Sequence, residues 1–293
     1  GVGWGGGRIW GFSTASLGFM FYTDDFMWDV MGITGLPDFL YHYTSIETLA
    51  LVLANRTLRF TRLDGVNDPE EASASDLPNA STLVFASCWT AQSRESLAMW
   101  RMYTPNLRGV RIKLPNNPFA GRHEPTIFDK GGAMQRIDGK IEITRANNGM
   151  GIVSYYVTGP NKIYYTDDHA YRNGPCLLDE GDRWSVQLHD LGMVKNTYWA
   201  FEEEWRYKVL ATFSEAILQE PNPLSHPALD LVAFPVQEAA VFVPLDAASF
   251  DGMEVVLGPC ASAGQEVIIR SLLEKYAPNA VLKRSEINVR LSI

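Results

Sequence analysis

The sequence predicts one α+β domain, because short stretches with two different hydrophobic periods follow one another along the chain. Most of these stretches alternate apolar and polar residues, which is typical of strands with one buried face, and a few have the spacing of amphipathic helices. No internal repeat and no linker-like stretch divides the 293 residues. We therefore expect a single domain over residues 37–293, preceded by an extension over residues 1–36.

Composition limits the classes of protein to which the chain can belong. Hydrophobic residues make up 46% and aromatic residues 12%, which is ample for a sizeable core. The net charge of -9 argues against strong non-specific binding to nucleic acid, which depends on a basic surface. No apolar run approaches the roughly 20 residues of a membrane-spanning helix, so no membrane is expected.

The three cysteines are Cys88, Cys176 and Cys260. Their odd number and long spacings indicate neither a disulfide framework nor a zinc motif. We expect reduced thiols in a reducing compartment, and hence a cytoplasmic protein.

The extension differs in composition from the rest of the chain. Residues 1–11 contain six glycines, and residues 12–31 are rich in Phe, Met, Tyr and Trp. A single early cation, Arg8, and the acidic pair Asp24 and Asp25 do not fit a secretory signal. The extension either folds over the domain, docks a protein partner through its aromatic residues, or is an artefact of the gene model.

Four stretches show helical spacing. In the first, Thr44-Ser45-Ile46-Glu47 predicts a capping box with Thr44 as the N-cap of a helix over residues 45–54. The other predicted helices span residues 94–103, 177–195 and 262–276.

The predicted strands occupy most of the remaining chain. They span residues 39–43, 57–61, 82–89, 108–114, 134–144, 151–157, 161–166, 201–211, 240–244, 253–257, 281–283 and 289–292. Residues 221–235 contain several prolines and are expected to form a loop.

The stretch Phe201-Glu202-Glu203-Glu204-Trp205-Arg206-Tyr207-Lys208 gives the clearest alternation, with aromatic residues on one parity. Glu202, Glu204, Arg206 and Lys208 occupy the other parity and would point the same way. One interpretation is a solvated strand face with a ladder of opposite charges. The other is a pair of carboxylates directed into a cleft.

Other candidate residues also have a structural and a functional interpretation. His42 ends the first strand before a helix N-terminus, where it either bonds to the backbone or contacts a ligand hydroxyl or phosphate. Trp100 and Tyr103 either belong to the core or stack on a ring. Asp68, Glu70 and Asp168 fit turns, or the ligands of a metal-dependent nuclease, although no further histidine or carboxylate set completes a metal site.

Five motifs in order resemble those of the bacterial family catalogued as domain of unknown function 2971. They are Tyr41-His42-Tyr43-Thr44, Asn67-Asp68-Pro69-Glu70, Trp100-Arg101-Met102-Tyr103-Thr104, Phe201-Glu202-Glu203-Glu204-Trp205-Arg206 and Val255-Val256-Leu257-Gly258-Pro259. The resemblance covers roughly residues 39–292 and implies no particular reaction.

Two of the motifs also resemble those of histidine-type ADP-ribosyltransferases. A strand ending in Tyr-His-Tyr-Thr before a helix is similar to their first motif, and Glu202-x-Glu204 is similar to their Glu-x-Glu motif. This resemblance implies a split mixed or antiparallel sheet core with flanking helices and NAD in the cleft. It implies that His42 binds a ribose hydroxyl, that Glu204 stabilises the oxocarbenium-like transition state and that Glu202 orients the acceptor.

The same resemblance implies the other cofactor contacts. An aromatic side chain, Tyr43 or Trp100, would pack on nicotinamide, and Ala86-Ser87-Cys88 approximates the middle motif of that family. The remaining candidates for contact with NAD are Thr44, Ser87, Tyr103 and Arg206.

The leading hypothesis is therefore an NAD-dependent ADP-ribosyltransferase-like enzyme with an unidentified macromolecular acceptor, a protein or a nucleic acid. Such an enzyme would fit a bacterial toxin or a phage-defence effector. The alternatives are a non-catalytic module that binds a nucleotide or a partner, and the metal-dependent nuclease.

Overall fold

The computed structural model describes residues 29–124, 134–144, 151–179, 184–211 and 236–290. Within these residues, one mixed and mostly antiparallel sheet of eleven strands forms the centre of the fold. Its strands are β1 (Phe39–Thr44), β2 (Thr57–Arg62), β3 (Val84–Thr90), β4 (Val110–Pro115), β5 (Gly121–Glu124), β6 (Met134–Thr144), β7 (Gly151–Lys162), β12 (Glu204–Leu210), β13 (Ala240–Pro244), β14 (Glu254–Leu257) and β15 (Val281–Arg284).

Short elements surround this sheet. Four strands form two small sheets: β8 (Tyr164–Tyr165), β9 (Leu177–Asp179), β10 (Trp184–Val186) and β11 (Val194–Lys195). The α-helices that the structure describes from end to end are α1 (Ile46–Asn55), α2 (Leu97–Tyr103), α3 (His169–Arg172) and α4 (Ala263–Tyr276). The long helices α1 and α4 pack against each other, and each buries its apolar face in the core.

The strand order explains why the sheet is split. Along its main path the order is β15-β14-β4-β1-β3-β12-β7-β6-β5, and β2 joins β13 to β3. The same edge of β3 therefore pairs with both β1 and β2. β2 pairs with the beginning of β3, at Ala86 and Phe85. β1 pairs only with the end of β3, at Thr90. β1 and β2 diverge beside residues 87–89 of β3. Residues on both sides of this opening line a cavity.

The core lies on both sides of the sheet and holds it together. Leu40, Phe60, Phe85, Val110 and Val209 are completely or almost completely buried within it. Complete burial of such side chains contributes about 1.5–3 kcal/mol each. The core therefore fixes the strands that carry the candidate residues.

Most predicted elements are confirmed to within three residues. These are the helices predicted over residues 45–54, 94–103 and 262–276, and the strands predicted over residues 39–43, 57–61, 82–89, 108–114, 134–144, 240–244, 253–257 and 281–283. The strands predicted over residues 151–157 and 161–166 are a continuous β7 followed by the short β8.

Three predictions about elements are wrong. Ser45, and not Thr44, is the N-cap of α1, because the Ser45 hydroxyl accepts a hydrogen bond from the Thr48 amide. The helix predicted over residues 177–195 is replaced by the short strands β9, β10 and β11 with turns. Residues 289–290 lie outside any strand, and residues 291–293 are outside the described part.

The end of the predicted extension belongs to the folded domain. Ile33 is buried in the core, and Lys162 donates a hydrogen bond to the carbonyl of Met31. Residues 1–28 and the predicted proline-containing loop over residues 221–235 lie outside the described residues.

All three cysteines are free, and Cys176 is buried. None of the described helices has both the length and the apolar composition needed to span a bilayer.

Candidate functional site

Strand β12 carries three charged side chains on one face, and all three are buried. Glu204 is 2% exposed, and Arg206 and Lys208 are 0% exposed. The opposite face carries Trp205 and Tyr207, which are buried as predicted. The solvated interpretation of the charged face is therefore wrong. Because burying an ion without a partner costs several kcal/mol, each of these groups needs a partner within the fold.

Residues 188–195, which we call the covering segment, supply many of these partners. Lys195 donates a hydrogen bond to Glu204, the Gly192 carbonyl accepts from Arg206, and the carbonyls of His189 and Leu191 accept from Lys208. The segment thus runs along the charged face in the direction opposite to β12. It excludes water from a face that the sequence alone marks as polar.

Arg206 lies between two carboxylates. Its Nε donates to Glu204 Oε1 at 2.7 Å, and its Nη1 donates to Glu71 Oε1 at 2.8 Å. Glu71 is 3% exposed and comes from the turn after β2. Sequence reasoning considered Glu70 at this turn and missed Glu71, since nothing in the local pattern distinguishes the two.

Lys195 connects the two predicted catalytic carboxylates. Its Nζ lies 2.7 Å from Glu202 Oε2 and 3.1 Å from Glu204 Oε2. The side chain is almost completely buried, at 7% exposure. Sequence reasoning also missed this residue, because it lies in the stretch that was expected to be helical.

Glu202 reaches this position without belonging to β12. It ends a 3-10 turn, Thr197–Glu202, and Glu203 takes a left-handed conformation with φ of 42° before β12 begins. The predicted alternation therefore does not extend to residues 201–203. Glu202 and Glu204 still come together because both bind Lys195, and Tyr103 donates a hydrogen bond to Glu202.

The two carboxylates have opposite pKa shifts. For Glu204, burial favours the neutral form, but Arg206 and Lys195 outweigh it and lower the pKa to about 2. For Glu202, burial raises the pKa above its ordinary value although Lys195 acts in the other direction. Glu204 is thus the permanent anion, and Glu202 is the better proton acceptor of the two. Such a separation of two carboxyl pKa values is typical of sites that use two acids in different roles.

These five residues, Glu71, Lys195, Glu202, Glu204 and Arg206, form a charged cluster at the wall of a cavity of about 240 Å³. The cavity lies where the sheet splits. Its lining includes all five members of the charged cluster together with His42, Tyr43, Cys88, Trp89 and Tyr103. We call it the His42–Glu204 cavity, because it brings together the residues that the sequence placed in two distant motifs.

His42 occupies the opening between β1 and β3. Its Nδ1 donates to the carbonyl of Cys88 at 2.8 Å, and its ring lies 5.0 Å from the ring of Trp89. Burial lowers the pKa of His42, so the ring is neutral at neutral pH. Since Nδ1 carries the proton, Nε2 carries the lone pair and can accept a hydrogen bond from a ligand hydroxyl.

Six of the nine predicted site residues line this cavity. They are Glu204, Glu202, His42, Tyr43, Tyr103 and Arg206. The other three, Thr44, Ser87 and Trp100, are all buried and do not belong to its described lining.

Each of these three residues has another contact that explains its position. Ser87 points away from Cys88 along β3 and accepts a hydrogen bond from Trp89 Nε1 at 2.9 Å. Trp100 packs edge-on against Tyr43 and donates through Nε1 to Glu95 at 2.9 Å. Thr44, at the end of β1, pairs with Val110 of β4. Their prediction as cofactor contacts is therefore not supported by the geometry.

The three acids of the nuclease hypothesis do not form a metal site. Asp68 accepts a hydrogen bond from the Glu70 amide, Glu70 forms an ion pair with Arg172, and Asp168 caps α3. Among the described residues, no group of three or more potential metal ligands is present.

Fold and site together define an α+β protein whose split, mostly antiparallel sheet encloses a cluster of acids and bases. Residues 99–207 match the model of the family described as Protein of unknown function (DUF2971). The matched residues include Tyr103, Lys195, Glu202, Glu204 and Arg206, whereas His42 and Glu71 lie before them. No significant match is found among curated proteins or among solved structures.

Proposed function

We propose that the chain is an ADP-ribosyltransferase-like enzyme that cleaves NAD and transfers ADP-ribose to a protein or nucleic-acid acceptor. The observation that carries this proposal is that His42 and Glu204, which lie in distant motifs, line one cavity where the sheet splits. The side chains of Tyr43, Tyr103 and Glu202 line the same cavity.

The charge of the cluster suits a cationic ligand group. Three carboxylates and two cations leave one negative charge when all five groups are ionised. The nicotinamide ring of NAD is positively charged, and positive charge moves to the ribose as the glycosidic bond breaks. A fixed carboxylate in a water-poor site stabilises that transition state more than the ground state.

The proposed roles follow from the opposite directions of the pKa shifts of Glu204 and Glu202. The bond between the ribose C1′ and the nicotinamide nitrogen breaks, and its electron pair leaves with nicotinamide, while the ionised Glu204 stabilises the ribose cation. A lone pair of the acceptor then forms the new bond to C1′, and Glu202 takes the proton that the acceptor releases. Because its pKa is raised, Glu202 is the stronger base of the two.

The size of the cavity limits which part of NAD it holds. Pockets for whole ligands are usually about 300–1,000 Å³, and the His42–Glu204 cavity has about 240 Å³. We assign it to the nicotinamide and the adjacent ribose. His42 Nε2 would accept from a ribose hydroxyl, and Tyr43 or Tyr103 would contact the cationic ring through an aromatic face.

The experiment that tests this proposal measures nicotinamide release from NAD. Glu204→Gln keeps the shape of the side chain and removes its charge, so we expect a loss of about 100-fold or more, as for other groups that stabilise a transition-state charge. Glu203→Gln is the matched control, because Glu203 is the exposed neighbour in sequence. Equal release by Glu204→Gln and the wild type would rule out the proposed role of Glu204.

A second candidate function is a non-catalytic module that binds a nucleotide or a partner protein. It is favoured by one observation, namely that both oxygens of Glu204 already bind a cation, Oε1 to Arg206 and Oε2 to Lys195. This candidate predicts binding of NAD or ADP-ribose without release of nicotinamide. The ADP-ribosyltransferase proposal predicts both the binding of NAD and the release of nicotinamide. As such an enzyme, the protein would act as a toxin or a phage-defence effector.

A further inference from the structure

A second buried arginine differs from Arg206 in its partners. Arg111 of β4 is 5% exposed and lies with its guanidinium carbon 4.7 Å from the ring centre of Tyr41 and 5.9 Å from that of Tyr43. Its Nη1 donates to the Ser93 carbonyl at 3.0 Å. Its Nε is buried and has no hydrogen-bond partner among the described residues.

The contrast between the two arginines points to a missing anion. Arg206 forms ion pairs with Glu71 and Glu204, whereas Arg111 has no such ion pair within the described parts of the chain. A buried guanidinium that lacks a carboxylate carries an uncompensated desolvation cost. Tyrosine faces and one carbonyl offset only part of that cost.

Arg111 also lines a cavity of about 690 Å³, which we call the Arg111 cavity. Arg94, Lys283 and Arg284 line the same cavity, together with three carboxylates. Lys283 is paired with Glu254, and Arg284 is paired with Glu266. By formal count the lining holds four cations and three carboxylates, a charge of +1 that does not include Glu266, the partner of Arg284 outside the lining. The whole chain carries -9.

We propose that the Arg111 cavity binds the phosphoryl group of a phosphorylated small molecule. The guanidinium presents two adjacent N–H donors in a fixed fork, which matches two oxygens of a phosphate, and Nε supplies the donor that is now unused. Arg94, which is exposed at the cavity wall, contacts the outer oxygens. The volume is sufficient for a nucleotide.

This inference does not rest on the proposed cleavage of NAD, because the observations come from a different cavity. Tyr41 and Tyr43 nevertheless connect the two cavities. Both side chains line the His42–Glu204 cavity, and both contact the Arg111 guanidinium. The phosphoryl group therefore comes either from the pyrophosphate of a dinucleotide that reaches both cavities or from a separate phosphorylated ligand.

The test is a calorimetric titration of inorganic pyrophosphate into the full chain. We expect one molecule to bind per chain and its affinity to fall by about tenfold or more in Arg111→Met, because a charge-assisted bidentate contact is lost. Arg94→Met, at an exposed position, should fold normally and weaken binding in the same direction. Arg101→Met removes an exposed arginine of α2 outside both cavities and should bind like the wild type.

Two results would overturn the site: no pyrophosphate binding by the wild type, or equal affinity in the wild type, Arg94→Met and Arg111→Met. If Arg111→Met does not fold, Arg111→Lys replaces it, since lysine keeps the charge but loses the fork. A competition titration of NAD against bound pyrophosphate then identifies which ligand supplies the phosphoryl group. Displacement of pyrophosphate by NAD indicates the dinucleotide, and simultaneous binding of both indicates a separate phosphorylated ligand.

Discussion

At the scale of single residues, Lys195 has the largest structural role that the sequence did not predict. Its ammonium group binds both Glu202 and Glu204, and it lies 3.7 Å from Glu71. Without it, Arg206 would be the only cation left in the charged cluster, and it forms ion pairs only with Glu71 and Glu204. The two proposed catalytic acids would then repel each other inside the fold.

We predict that Lys195→Met lowers the free energy of unfolding by about 3–5 kcal/mol, the usual cost of breaking a buried ion pair from one side. Lys140→Met is the matched control, because the ion pair of Lys140 with Glu142 is exposed and contributes about 0–1 kcal/mol. Urea denaturation of the two variants measures the difference. Equal destabilisation would contradict the prediction, because it would show that the buried Lys195 contacts contribute no more than an exposed ion pair.

The pKa of Glu204 gives a prediction about acid stability. Because its pKa falls from the ordinary 4.5 to about 2 on folding, the ionised group stabilises the fold above about pH 4.5, and this contribution disappears as the pH falls towards 2. The wild type should therefore exceed Glu204→Gln in free energy of unfolding by roughly 3 kcal/mol near neutral pH. Denaturation at a series of pH values should show this excess shrinking between about pH 4.5 and about pH 2, and an excess that does not depend on pH would contradict the shift.

Residue types and motif order were sufficient to single out six residues that line the His42–Glu204 cavity, but not their partners. His42, Tyr43, Tyr103, Glu202, Glu204 and Arg206 lie in recognisable motifs. Glu71 and Lys195 lie in ordinary surroundings, and only the fold shows that they are buried. Their contacts bridge 135 residues in one case and seven to nine in the other, and no local pattern encodes such pairings.

At the scale of elements, the covering segment and β12 form one unit. The segment resembles a helix in sequence because Leu188, Leu191 and Val194 have helical spacing. In the structure, Leu188 and Leu191 are buried and the segment uses its backbone carbonyls to bind Arg206 and Lys208. A helix would have used most of those carbonyls internally, so burial of the charged face of β12 outweighed the local periodicity.

Gly192 is the position at which this unit is most sensitive to substitution. Its φ is +71°, and an added Cβ would lie 2.4 Å from Leu63 Cδ1 and 2.9 Å from Arg206 Nη1. We predict that Gly192→Ala costs about 2–4 kcal/mol, the sum of about 1 kcal/mol for the backbone conformation and about 1–3 kcal/mol for overpacking.

Gly252→Ala separates these two contributions. Gly252 has a similar φ of +76°, but an added Cβ would meet nothing within 4 Å. This variant should cost only about 1 kcal/mol. Chemical denaturation of both variants tests the packing of the covering segment, and an equal loss in the two would mean that Gly192 is required only for its conformation.

At the scale of the whole molecule, the split of the sheet positions the proposed sites. β1 pairs with β3 at a single residue pair, and His42 faces the opening between the two strands. Tyr41 and Tyr43 line the His42–Glu204 cavity and contact Arg111, which lines the other cavity. Hydrophobic period and turn residues predicted most strands and the α+β class. They could not predict the split, because it depends on two strands sharing one edge of β3, which is a non-local property of the fold.

Binding of NAD to the wild type and to His42→Ala, measured by calorimetry, tests the central claim that the His42–Glu204 cavity is a nucleotide site. We predict one NAD per chain with a dissociation constant below about 1 mM, and at least about tenfold weaker binding in His42→Ala. His169→Ala, at an exposed histidine outside the cavity, should bind like the wild type. Absence of NAD binding by the wild type, or equal binding by His42→Ala, would contradict the claim.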